Sequence, residues 1–86
     1  MGMELDAFRE VLQALDDVAG ADEDLQELNA EFEDALMLME MSEPEELEED
    51  LEALDSLRRD YEKIPAAREL AARLGELIRR GRGLVD

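Results

Sequence analysis

Two serines, one lysine, one tyrosine and a large excess of carboxylates are the side chains here that could attack, protonate or ligate; histidine and cysteine are absent. Nucleophilic and acid–base catalysis needs a hydroxyl, thiol or amine held beside a base. Ser42 lies in Ser42-Glu43-Pro44-Glu45, which reads as a capping box, and this leaves Ser56 as the free hydroxyl. At helical spacing Ser56 meets only Glu52 and Asp60, both of which read as solvated carboxylates. Paired carboxylates can hydrolyse glycosides, but that reaction needs a sugar-binding cleft, and Phe8, Phe32 and Tyr61 are the only aromatics available to line one. Metal chemistry fares no better. A di-iron bundle requires Glu-x-x-His pairs, and Asp22, Glu23 and Asp24 lack the alternating ligands, central glycine and terminal glutamate of a calcium loop. We therefore read the chain as non-enzymatic, with no metal and no cofactor.

What remains is the charge itself. The formal net charge is −17 over 86 residues. From Glu4 to Leu57 there are 21 Asp and Glu against Arg9 alone, whereas Arg58 to Asp86 carries eight Lys or Arg against five acids. The densest run contains Glu45–Glu49, Glu46–Asp50 and Glu48–Glu52, like-charged pairs at four-residue spacing that each cost about 0.2–0.5 kcal/mol in a helix. A marginally stable domain that keeps such pairs has a use for them beyond its own stability. Two antiparallel helices over residues 22–64 would each be about 30 Å long and would carry an acid per roughly 1.7 Å, the charge spacing of duplex DNA. A bland alternative is a solvated face or a surface adapted to high salt, which the excess of Arg over Lys also fits. Against the salt reading, Glu outnumbers Asp and the last third of the chain is basic.

These residues must be positioned by helices. Leu5, Phe8, Leu12, Leu15 and Ala19 alternate steps of three and four, with Val11 and Val18 widening the stripe, so the spacing predicts a helix over about Met3 to Ala19, ended by Gly20. Asp22 is a competent N-cap for a second helix through Leu25, Leu28, Phe32, Ala35, Leu36 and Met39. Its last turn, Leu36-Met37-Leu38-Met39-Glu40-Met41, is apolar nearly all round, so it is either buried on both sides, as core or dimer packing, or exposed at an apolar interface, for which Leu36, Met37, Met39 and Met41 are the candidates. The third helix starts at the capping box and buries Leu47, Leu51, Leu54, Leu57 or Arg58, Tyr61 and Ile64 before Pro65 forces a break. Pro65 opens a fourth through Ala67, Leu70, Leu74, Leu77 and Ile78, fraying near Gly81 and Gly83. Short connections make neighbours antiparallel. The expected fold is an all-α antiparallel bundle of three to four helices in a single domain, residues 1–86, closed within the chain or completed by dimerisation, and self-association as a homo-oligomer is expected because it enlarges a small core.

No apolar run approaches a membrane span, and the N-terminus lacks the layout of a signal peptide, so the expected location is the cytoplasm. Met1 and Gly2 ahead of Met3 have the form of a cloning remnant. Direct binding to nucleic acid is not expected: Arg68, Arg73, Arg79, Arg80 and Arg82 form a basic end, but no aromatic interleaves them. Their expected role is to complement the last helix dipole and to pair with acids of neighbouring helices.

Laid out this way, Asp22 to Leu77 resembles the YlbF/YmcA family of small helical regulatory proteins. The resemblance is carried by Leu28-Asn29-Ala30-Glu31-Phe32 on an acidic helix, then Tyr61-Glu62-Lys63-Ile64-Pro65 closing a Glu-rich helix, then Ala66-Ala67-Arg68-Glu69-Leu70. It implies a non-catalytic adaptor of a kind whose members assemble with one another and modulate an RNA-degrading enzyme. The cluster-binding of some members has no ligands here, because cysteine is absent. In size and charge the chain is also similar to small acidic phage and mobile-element proteins that mimic nucleic acid and inhibit restriction or CRISPR machinery. Both point to a basic, nucleic-acid-handling protein as partner. The residues expected to meet it are Glu45, Glu46, Glu48, Glu49, Asp50 and Glu52, together with Asp22, Glu23, Asp24, Glu27 and Glu31.

Overall fold

A computed structural model describes residues 5–85, with the side chains of Pro44, Leu84 and Val85 left out of account. Four helices follow one another: α1 (Asp6–Ala19), α2 (Glu23–Met41), α3 (Leu47–Glu62) and α4 (Arg68–Val85). Single turns of 3-10 helix at Pro44–Glu46 and Pro65–Ala67 lead into α3 and α4. Each helix packs on the next and α4 closes on α1, giving a four-membered ring 37 × 20 × 18 Å in extent. The helices run antiparallel. Arg9 near the start of α1 reaches Glu40 near the end of α2, and Tyr61 at the end of α3 reaches Asn29 in the first half of α2.

The core follows from the apolar spacing. Buried positions are Phe8, Val11, Leu15 and Ala19 on α1, Leu25, Phe32, Leu36 and Met39 on α2, Leu51, Leu54, Leu57 and Tyr61 on α3, and Ala67 with α4's Ala71, Leu74 and Ile78. All three aromatics are inside, with the Phe32 and Tyr61 rings 6.3 Å apart and tilted by 56°. One chain supplies all four walls of this core.

Several local expectations are corrected. On α1 the stripe is rotated toward Val11, so Leu12 is half-buried and Val18 is exposed rather than widening the seam. Ser42 caps no N-terminus: its Oγ donates to the Leu38 carbonyl at 2.7 Å, closing the end of α2, and α3 begins with no side-chain cap at all. Pro44 accounts for the failure of the capping box, since its turn is 3-10 and delays the α-helix to Leu47. Asp22 does cap α2, its Oδ1 accepting from the backbone N–H groups of Asp24 and Leu25 at 3.1 and 3.3 Å. Gly20 ends α1 at φ +52°, a conformation that favours glycine. Pro65 breaks the chain as expected, but α4 continues past Gly81 and Gly83 to Val85.

Candidate interaction surface

Seven acids and no base lie within Glu23–Met41, and α3 opens on Glu48, Glu49 and Asp50. Of the eleven acids expected to meet a partner, ten are exposed and Asp50 is half-buried. Among the described residues none of the eleven forms an ion pair; cations are engaged instead by Asp6, Glu40, Asp55, Asp60 and Glu62. The structure does not gather the eleven into one patch. With α2 and α3 antiparallel, Asp22, Glu23, Asp24, Glu27 and Glu31 occupy one end of their shared edge, and Glu45, Glu46, Glu48, Glu49, Asp50 and Glu52 the other. Asp24 and Glu40 are about 24 Å apart along α2 at 1.5 Å per residue. Between them, Glu33 and Asp34 are exposed and extend the row, although neither belonged to the expected set.

The apolar candidates divide. Leu36 and Met39 belong to the core, which corrects their assignment to an interface: they share the buried row with Leu25 and Phe32. Met37 and Met41 face solvent at 55% and 75% exposure, joined by Leu38 at 58%. These three lie within five residues at the end of α2 that leads into α3.

Asp50 sits where charge meets packing. Asp50, Leu54, Leu57 and Tyr61 form one helical row, and its last member contacts Asn29 and Phe32 of α2. Asp50 Oδ2 is buried and has no hydrogen-bond partner. Further along α3, Arg58 Nε donates to Asp55 Oδ1 at 2.8 Å, its Nη1 reaches Glu62, and Arg59 lies 3.4 Å from Asp55 Oδ2. The Arg58 hydrogen bond holds the Asp55 carboxyl below its ordinary range despite desolvation, with the Arg58, Arg59 and Arg82 charges acting in the same direction. Arg58 lies against Gly75 of α4, where an added Cβ would come within 2.9 Å of the Arg58 Cδ.

Asn29 is a buried polar residue whose role the spacing of apolar residues did not reveal. Its Nδ2 donates to Asp16 Oδ1 at 3.0 Å, and its Oδ1 accepts from the Tyr61 hydroxyl at 2.8 Å. The triad ties α1, α2 and α3 together and satisfies both buried polar groups. A polar residue at a position reading as core, Asn29 between Leu25 and Phe32, was the available signal.

On the opposite edge, α4 carries Arg68, Arg73, Arg79, Arg80 and Arg82 against Glu69 and Glu76. Among the described residues none of these arginines forms an ion pair, so their expected pairing with neighbouring helices is not seen. Arg73 and Arg80 rim an open groove of about 260 Å³ between α1 and α4, together with Glu10 and Glu76. Ser56 is exposed, and among the described residues no hydrogen bond joins it to Glu52 or Asp60. No group of three acids converges in a metal-holding arrangement among the described residues, and none of the described helices is long and apolar enough to cross a membrane. Comparison with known protein families, curated proteins and solved structures finds no match in any of the three.

Proposed function

We propose that this chain is a non-enzymatic, cytoplasmic interaction module whose acidic α2–α3 edge docks on a basic surface of a nucleic-acid-handling protein, as its regulator or adaptor. The observation that carries this reading is the absence of ion pairs at all eleven acids on that edge among the described residues. Charges that repel one another along a helix and are not neutralised within the chain destabilise the monomer. A basic partner removes that cost, and long-range attraction speeds the encounter. The resemblance to the YlbF/YmcA regulators points the same way.

Direct binding to nucleic acid is disfavoured, since Phe8, Phe32 and Tyr61 are buried and offer no face for base stacking. Adaptor and nucleic-acid mimic are separated by Met37, Leu38 and Met41. Phosphate ridges contain no such apolar interruption, and a surface kept acidic only for hydration in salt has no use for one. The exposed trio favours an adaptor that combines charge with apolar contact.

The test is capture from a nuclease-treated lysate of the native host on the immobilised protein, with stepwise elution by salt. The reading expects a basic nucleic-acid-handling protein to be retained and eluted by salt; its displacement by added DNA or RNA would mark the nucleic-acid mimic instead of the adaptor. Retention of the chain's own copies alone would refute it.

A further inference from the structure

Along α2 the exposed side chains change character: Glu23, Glu27, Glu31 and Asp34 give way to Met37, Leu38 and Met41. Helical geometry places these last three within a sector of about 100° on the side away from the core. They are three of the four large exposed hydrophobics among the described residues; the fourth, Val18, lies at the other end of the bundle. Along the chain around them the residues are acidic: Asp34 and Glu40 on α2, and Glu43, Glu45 and Glu46 in the turn that follows. Of the cations at this end, Arg9 is held by Asp6 and Glu40, while Arg79, Arg80 and Arg82 belong to α4, across the ring from α2.

Exposed, unbranched or flexible apolar side chains ringed by carboxylates complement one kind of element. It is a helix with an apolar row flanked by Lys and Arg. We propose that the end of the α2–α3 edge formed by Met37, Leu38 and Met41 receives a basic amphipathic helix of the partner protein, its apolar row on these three and its cations on the surrounding acids. This rests on the reading that the acidic edge binds a basic protein, and names the element recognised. A second copy of the chain is a poorer occupant. Symmetric contact would bring two acidic rims together, and α4, the basic helix, presents no large exposed hydrophobic among its described residues.

The probe is a labelled Leu/Lys amphipathic peptide about 18 residues long, long enough to form about five helical turns. A Gly/Lys peptide of equal charge is the control, and binding is read by fluorescence anisotropy and helix induction by circular dichroism. The Leu/Lys peptide should bind more tightly than the control and become helical. The triple substitution M37S/L38S/M41S changes only exposed positions, and unfolding curves check that the bundle is retained. It should weaken Leu/Lys binding by about tenfold or more while leaving Gly/Lys binding unchanged. Equal affinity of the triple variant and the parent protein for the Leu/Lys peptide overturns the proposal. So does a parent protein that forms dimers, lost in the triple variant, and ignores the peptide. The charge-reversed variant E45K/E46K/E48K/E49K separates the two readings: if it loses both peptides while the triple variant loses neither, the acidic edge stands and the amphipathic helix falls. If charge reversal affects neither peptide, the acidic-edge reading fails as well.

Discussion

Tyr61 and Asn29 show most clearly what single residues contribute. Each satisfies the other inside the core, so removing one partner strands a buried polar atom, whereas removing both leaves an apolar contact. Tyr61→Phe should cost about 1–3 kcal/mol in urea unfolding, and Asn29→Leu added to it should cost much less than a second such loss. Equal, additive costs would mean that the hydrogen bond contributes nothing. Burial also pushes the Tyr61 phenol well above its ordinary value, with the Asp16 and Glu31 charges acting the same way. The neutral form is therefore favoured by folding. The resulting stability is present below the unfolded-state value of about 10 and is lost as pH rises beyond it. Tyr61 is the only tyrosine, so tyrosinate absorbance in an alkaline titration should appear only together with loss of helical circular dichroism. A tyrosinate signal from an intact bundle would contradict the buried phenol.

At the scale of elements, apolar periodicity was a good guide to the four helices and to most of the core, because burial on one face is what holds a helix in a small bundle. It was poorer at ends. Asp22 and Ser42 both sit before a helix and both look like caps, yet only Asp22 meets the free N–H groups it should. Pro44 decides the difference by imposing a 3-10 turn that separates Ser42 from α3. Asp22→Ala should accordingly lose about 1 kcal/mol, a fall of roughly 4–8 °C in Tm, while Ser42→Ala should stay within about 0.5 kcal/mol. Thermal unfolding of the two variants side by side checks this, and equal losses would restore the capping box. Leu36 and Met39 were misplaced for a related reason: in a turn apolar nearly all round, spacing alone does not say which residues face inward. Only the continuation from Leu25 and Phe32 selects them.

The whole molecule is a ring of helices with an acidic edge along α2 and α3 and five arginines on α4. Charge segregation was legible in the sequence; the division of the acids between opposite ends of the α2–α3 edge was not, because it depends on antiparallel register. A net charge of −17 on a body 37 Å long must repel itself. Added salt screens that repulsion, so Tm should rise by several degrees between low and physiological ionic strength, where ion-pair-stabilised bundles lose stability. A Tm that falls with salt would mean that ion pairs such as Arg58–Asp55 outweigh the repulsion. The same unneutralised charge is the surface on which the functional account depends. The most direct measurement captures partners from host lysate on the parent protein and on E45K/E46K/E48K/E49K in parallel, with the fold of both checked by circular dichroism. The account predicts a basic nucleic-acid-handling protein held by the parent and lost from the charge-reversed variant; equal retention by both would contradict it.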